Sequence, residues 1–440
     1  MQLFRWYRDY ILREKAWIIF LPWLLAYAAL VVLMHRDILI TDEIRYFEYG
    51  ENLTKGYFSP REYLYLVCGP GYPLLLMPFI GMGMPMLVLR LLNAALLYLG
   101  VVFLYKSLRV GGLSIRWSFA ASALWASYPP PLDKLVQLVT EPLVLCLVPV
   151  LLYLVLHLGQ TSRPKWLPWL AGAVFGWLIL TKIIFGYVLM VLTLGWIIWA
   201  KWDRQQGWTL LKLKSVAWFM VIPWLLYTYS LTGKPFYFST FGGSLLYSMS
   251  SPHPHEYGNW IPQDFVLSGS RSQPEMAQQI GTQYYRENHA EIAQLLEEAP
   301  DDAVRDSIYR AKAWANIQSH PDKFLQNWVA NLSRMFWRFP FSYYQHEISI
   351  LFFILPNSFL FVSMMLGFLL TWRYRNLLPP YLKWLLLLTV VYLGGSSLLS
   401  AFPRHLYVIQ PVLLVWMSLV FRAWLVDMQG GKWKDWLVGD

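Results

Sequence analysis

Long apolar blocks separated by short polar connections dominate the chain. A helix that crosses a bilayer needs roughly 20 mostly apolar residues. Ten stretches approach that length: 16–34, 84–105, 117–128, 142–158, 167–181, 183–199, 215–231, 347–371, 381–398 and 406–425. The stretch 117–128 is short enough to be re-entrant, and 167–199 divides in more than one way. The pattern predicts an all-α polytopic membrane protein with about ten transmembrane helices.

Two polar segments are longer than simple connections. Residues 35–71 follow the first span and belong to an N-terminal transmembrane module, 1–231. Residues 232–346 carry Pro252, Pro254, Pro262 and Pro274 with mixed charges, which suits a small water-facing domain, and 347–440 hold the C-terminal transmembrane helices. Near the end of that domain, Phe324, Leu325, Trp328, Val329, Leu332, Met335 and Phe336 fall on one helical face, so a helix over 321–339 is expected to lie on the membrane surface. No internal repeat is evident, which argues against inverted-repeat transporter designs.

Composition agrees with a bilayer environment. Hydrophobic residues make up 57% and charged residues 14%, too little charge to cover a soluble domain of this size, and the mean hydropathy is +0.39. Many of the 24 Trp sit at the ends of apolar runs, where aromatic side chains anchor helices at headgroup level. The net charge of +10 is spread between spans and not gathered in one patch, so it reads as a topology signal and not as a nucleic-acid surface. With the N-terminus inside, eighteen Lys and Arg fall on cytoplasmic connections. Seven fall on short outer ones: Arg36, Arg45, Lys55, Arg61, Lys134, Lys182 and Arg404. Both termini are therefore expected in the cytoplasm. The first span runs into Met34-His35-Arg36 without a small-residue cleavage site and reads as a retained anchor. Cys68 and Cys146 are too few for a disulfide framework and lack metal-ligand spacing.

Candidate chemistry gathers at outer helix ends. In TDEIRYFEYGENLTKG, 41–56, Thr41 is placed to cap a helix with Asp42 and Glu43 in its first turn, and Asp42, Tyr46, Tyr49 and Leu53 share a face. Two acids there also have a plain explanation, since they complement a helix dipole by about 0.3–1 kcal/mol. Glu141 in the VTEP run, Lys182 in ILTK and Arg404-His405 in AFPRHLY are assigned to the same membrane face. Charges so near hydrocarbon are costly unless they pair, snorkel or act. A carboxylate that takes a proton from a hydroxyl, opposite cations that hold a phosphate, is the minimum set for displacing the phosphate of a sugar-1-phosphate. A lipid phosphate leaves as an anion without needing a proton, so one carboxylate suffices, where a glycosidase commonly uses two.

These segments, with GPGYPLLLMPF at 69–79, RLLNA at 90–94, IPWLLYTYSLTGKPFYFSTFGG at 222–243, RAKAWANIQSHPDKFL at 310–325 and PRHLYVIQP at 403–411, occur in an order that resembles the GT-C glycosyltransferases. The resemblance is to the protein O-mannosyltransferase and lipid A aminoarabinose-transferase branch, polytopic enzymes that use polyprenyl-phosphate sugars. It implies a GT-C-like fold with a small extracytoplasmic domain and, by family analogy, Asp42 as catalytic base with Glu43 beside it. Arg45 and Tyr46 would orient the acid or touch donor phosphate, and Arg404 would help hold the lipid phosphate. Glu141, Lys182 and His405 complete the expected substrate-binding set. Two departures stand out. The glutamate and lysine that some relatives carry before the Gly-Tyr step are absent from LVCGPGY at 66–72, so a divalent metal is left undecided. The usual arginine after ILT is Lys182, which keeps the charge and loses the bidentate fork.

Other signals read more plainly. His253 and His255 with Glu256 lack a third ligand at fixed spacing and are expected to be ordinary loop histidines. Asn52-Leu53-Thr54 and Asn331-Leu332-Ser333 match the glycosylation sequon but are taken as chance, with a bacterial inner membrane as the expected location. The expected activity is inverting transfer of a hexose or pentose from a polyprenyl-phosphate donor to a lipid, glycan or protein acceptor, among membrane lipids and without nucleic acid. One rival is an O-antigen-type ligase or polymerase using a pyrophosphate-linked glycan, which would lean on late basic and His residues. A transporter would need acids deep in several spans, which are nearly absent here.

Overall fold

The computed structural model describes residues 15–160, 162–199, 204–261, 281–343 and 348–429. Pro262 and Pro274 lie outside the described residues, as do Arg5, Arg8, Arg13, Lys201, Lys432 and Lys434, six of the eighteen basic residues assigned to cytoplasmic connections. Among the described residues every element is helical and no strand occurs. In chain order the principal helices are α1 (Leu21–Leu33), α2 (Asp42–Thr54), α3 (Gly71–Gly81), α4 (Met86–Val110), α5 (Ile115–Ala126), α6 (Glu141–His157), α7 (Leu167–Thr181), α8 (Ile184–Trp199) and α9 (Arg204–Thr232). The polar segment contributes α10 (Gly242–Met249), α11 (Gly281–Glu297), α12 (Asp302–Ser319) and α13 (Pro321–Trp337). The chain ends in α14 (Leu351–Tyr374), α15 (Pro380–Ser397), the single turn and a half of α16 (Pro403–Tyr407), and α17 (Gln410–Met428).

Among the described residues four helices are long and apolar enough to cross a membrane: α4, α9 over Gly207–Thr232, α14 and α17. Shorter apolar helices include α1, α3, α6, α7 and α8 over Ile184–Gly195. The expected span 16–34 is broken into a short turn, Ala16–Ile19, and α1. The apolar helix α3 was not expected as a separate element, because Pro73, Pro78 and its bounding glycines interrupt the run.

Close backbone approach sets the core. A Cβ on Gly100 of α4 would meet the Leu145 carbonyl of α6 at 2.2 Å, and one on Gly172 of α7 would meet the Leu213 carbonyl of α9 at 2.4 Å. Gly172 and Gly176 form a G-x-x-x-G face on α7, the arrangement that lets membrane helices pack without intervening side chains. Elsewhere the bundle presents apolar side chains outward. Phe219 and Leu226 on α9 and Phe352, Phe359 and Phe368 on α14 are largely exposed, and α14 buries only Asn357, Leu360 and Gly367. A row of that kind suits lipid. Both cysteines are buried and free.

The expected helix over 321–339 exists as α13, with its apolar positions used differently than the simple face predicts. Leu325 and Val329 are exposed, whereas Asn327, Asn331 and Arg334 are fully buried. The helix buries its polar stripe, spaced four and three residues apart, together with Met335 and Phe336 near its end, while Leu325 and Val329 face away.

Candidate functional site

The chain turns sharply at Thr41, whose φ of 49° lies in the left-handed region that β-branched residues avoid. Thr41 occupies the N-cap position of α2 without donating or accepting a side-chain cap bond; Glu43 instead reaches back to the Ile40 N–H at 3.1 Å. The consequence is that the two neighbouring acids part company. Asp42 remains in the open, while Glu43 is completely buried.

Glu43, expected in the substrate-binding set, is instead enclosed by protein. Its carboxylate takes Arg90 at 3.2 Å, Arg36 at 3.0 Å and the Leu138 N–H at 2.9 Å. With the Ile40 N–H, four donors around one buried anion make it a clamp between the first loop, α4 and the approach to α6. Asn93, one turn from Arg90, extends the clamp by donating to the Leu135 and Gln137 carbonyls at 3.2 and 2.7 Å and accepting from Tyr72 at 3.0 Å. This explains the R-x-x-N spacing in RLLNA: Asn93 holds 135 and 137 directly, and Arg90 holds the Glu43 carboxylate that receives the Leu138 N–H, so both fix the approach to Glu141.

Around Asp42 the charges converge from four separate stretches of chain. Arg45 Nη1 lies 3.4 Å from Asp42 Oδ1, and Arg404 Nη1 lies 3.7 Å from Asp42 Oδ2. The same Arg404 nitrogen is 3.8 Å from Glu141 Oε1, as is Lys182 Nζ. Asp42 and Arg404 keep 37% and 39% of their side-chain surface, against 4% for Glu141. These separations are ion pairs without direct hydrogen bonds. Among the described residues the Asp42 carboxylate is met by these ion pairs, and Lys182 Nζ is buried with no hydrogen-bond partner. Three cations face two carboxylates, so the cluster has room for one further negative charge.

Each cation has its own support. Arg45 Nε donates to the Tyr65 hydroxyl at 2.5 Å. Lys182 follows α7, whose last residues sit against the GPG turn: a Cβ on Gly69 would meet the Leu180 carbonyl at 2.1 Å and one on Gly71 the Thr181 amide at 2.5 Å. Arg404 stands on α16, which is reached through 397–401, the strap held by Asn331 and Arg334 of α13. His405 faces this turn, its Nδ1 accepting from the Phe402 N–H at 3.0 Å. Burial, with Lys182 and Arg404 nearby, holds its imidazole well below the usual histidine range, so it stays neutral. That assigns His405 to shaping the turn that presents Arg404. Burial lowers the affinity of the Arg404 guanidinium for its proton, but Glu141 and Asp42 outweigh burial and raise it above the usual arginine range. Tyr46 packs edge-on against Tyr72 at 5.6 Å.

The sequence reading missed Tyr65, Asn93 and Tyr407. The Tyr407 hydroxyl is buried without a hydrogen-bond partner, three residues from Arg404, and its only sequence signal was membership in PRHLY. It also missed His289. Glu256 is buried and meets His289 Nε2 at 3.0 Å, with His253 beside them, whereas His255 is exposed. His253 thus lies beside a third possible donor that α11 returns from far along the chain, whereas His255 stands apart from that group. Asn331 spends its amide on the Ser397 and Leu399 carbonyls and is wholly buried, which leaves its sequon no access.

No family model matches the chain, and no curated protein matches its sequence. Among solved structures it is similar to the crystal structure of ArnT from Cupriavidus metallidurans bound to undecaprenyl phosphate. The two share 18% identity over 92% of this chain and 77% of that one, with a TM-score of 0.37. At that level of overlap the likeness says nothing about which residues act.

Proposed function

We propose that the protein is an inverting membrane glycosyltransferase that moves a monosaccharide from a polyprenyl-phosphate carrier to an acceptor hydroxyl at the outer face of a bilayer. The observation that carries this reading is the meeting of a part-exposed Asp42 carboxylate with Arg45, Arg404, Lys182 and Glu141 in a cluster that has one positive charge to spare. Asp42 takes the proton of the acceptor hydroxyl as its oxygen attacks the anomeric carbon. The bond from that carbon to the carrier phosphate breaks, and the phosphate leaves as an anion toward Arg404 and Lys182. One displacement inverts the anomeric centre. Arg45, fastened to Tyr65, pairs with Asp42 and aims it. Glu141, buried with Lys182 and Arg404 each 3.8 Å from its Oε1, offsets the repulsion between the two cations.

Topology follows the charge distribution: both termini cytoplasmic, with the cluster, the first loop and the α10–α13 domain on the other side. Hydrogen bonds between Tyr63 in the first loop and Asp302 and Arg305 of α12 support a shared face for the loop and the domain. Lipid tails would lie along the exposed apolar sides of the bundle, and the acceptor would enter beneath the domain.

The test is Asp42→Asn in the purified full chain, assayed with a polyprenyl-phosphate sugar and an envelope lipid extract as acceptor. Transfer should fall at least about 1,000-fold, the scale of losing a positioned base together with the charge it shares with Arg404, while folding is unchanged. Near-normal turnover would sink the assignment. Mass spectrometry of lipids and surface glycans from cells with and without the gene would then name the sugar and acceptor.

A further inference from the structure

The α10–α13 domain holds a second concentration of chemistry that the transfer reaction does not use. His253 and Glu256 belong to a loop after α10, and His289 belongs to α11. One ligand atom from each lies within 4.8 Å of the others. His289 Nε2 sits 3.0 Å from both Glu256 oxygens, so it faces the middle of the carboxylate and not one edge. Its other nitrogen, Nδ1, is 2.6 Å from the Tyr247 hydroxyl of α10. Tyr285 lies over the same imidazole with ring centroids 4.1 Å apart, fixing its plane. Glu256 is further held by Ser251 at 2.5 Å, Asn288 at 3.1 Å and Tyr343 at 3.1 Å.

We propose that His253, Glu256 and His289 bind a zinc ion that fastens the loop after α10 to α11. Two imidazoles and a carboxylate are a zinc donor set, with a water or a neighbouring hydroxyl left for the fourth position. Tetrahedral zinc with bonds of about 2.0–2.2 Å places its donors roughly 3.3–3.5 Å apart, so His289 and Glu256, now 3.0 Å apart, need only part by a few tenths of an ångström, while His253, within 4.8 Å, draws in. The partner of His289 Nδ1 is the usual device for orienting a ligand imidazole. Zinc would take the Nε2 lone pair of His289, with the ring proton on Nδ1 directed at the Tyr247 oxygen 2.6 Å away. Magnesium and calcium, which want six or more oxygens, fit this set poorly.

The site sits at a junction. Lys323 of α13 donates to the Glu256 carbonyl at 2.7 Å, and Arg334 of the same helix donates to the Tyr257 carbonyl at 3.1 Å. A metal here would thus brace the loop that α13 grips, on the helix that also carries the strap to Arg404. The inference does not depend on the transfer reaction and stands or falls separately from it.

The experiment uses the full chain in detergent, stripped with EDTA, loaded with zinc chloride, passed through a desalting column and read by elemental analysis and by melting temperature. About one zinc per chain is expected, together with a rise in melting temperature that magnesium chloride does not produce. His253→Ala should abolish both effects, and its fold is protected because the His289–Glu256 hydrogen bond remains. Tyr247→Phe should weaken zinc binding by about 10–100-fold, and His255→Ala, at an exposed position, should bind as the parent does. Wild-type protein retaining no zinc overturns the proposal, and so does undiminished zinc in His253→Ala.

Discussion

Replacing Glu43 by Gln removes one negative charge and leaves the volume of the side chain unchanged, at a site where the surrounding donors cannot follow. In the native protein the Glu43 carboxylate receives Arg90, Arg36 and two backbone N–H groups, from Ile40 and Leu138, with no solvent exposure. Gln keeps one acceptor oxygen and turns an NH2 toward groups that are themselves donors. Arg90 is also fully buried, and breaking one side of a buried ion pair costs about 3–5 kcal/mol because the remaining charge is stranded. Arg90 retains the carbonyls of Arg36 and Ile38, which offset part of that loss. The expected destabilisation is about 3 kcal/mol, seen as a clear fall in melting temperature of the detergent-solubilised protein. Asp42→Asn, one residue away, has no buried partner and should melt within experimental error of the parent. The two variants thus separate support from chemistry: Glu43→Gln lowers stability first and activity through it, and Asp42→Asn lowers activity alone. Equal melting temperatures for Glu43→Gln and the parent would show that the clamp carries no net stabilisation and would refute the reasoning.

The other expectations are more compact. Arg404→Lys keeps the charge but loses the planar fork, and should reduce transfer by about 10–100-fold while Arg404→Ala costs more, corresponding to about 1.5–3 kcal/mol for a charge-assisted hydrogen bond; equal rates for Lys and Arg would argue against a phosphate contact. Gly71→Ala drives a methyl group to 2.5 Å from the Thr181 amide and should cost about 1–3 kcal/mol, with a KM increase from displaced Lys182; an unaffected melting temperature would count against the seat. Asn331→Ala strips partners from the Ser397 and Leu399 carbonyls and from the Ala401 N–H, all at the strap before α16. It should destabilise by at least about 3 kcal/mol, and protease digestion should open first near 397–401; an unchanged cleavage pattern would contradict the strap's dependence on α13.

Helical architecture was legible because its signals are local. An apolar block of a given length states its preference without knowledge of the rest of the chain, and most predicted stretches correspond to observed helices, with 167–181 matching α7 to the residue. The concentration of acids after the first span and of arginine and histidine in PRHLY was equally plain. Helix α3 was missed because prolines and glycines that interrupt a run in sequence are absorbed in a packed helix: Gly71 is there for its contact with Thr181, which no window on the chain reveals.

What the chain by itself determined, then, is which residues prefer apolar surroundings and which types of chemistry are available. Tertiary structure decided where each charge is spent. Asp42 and Glu43 are adjacent and chemically alike, yet a left-handed Thr41 sends one into the open and the other into a buried clamp, since only the folded chain brings Arg90 and the Leu138 amide to receive it. His253 had a third donor waiting in α11, and α13 turned its polar stripe inward because the strap at 397–401 needed hydrogen bonds away from water. Local pattern fixes a residue's preference, but whether a polar group is a support or a reagent depends on partners distant in sequence, and those are supplied by packing alone.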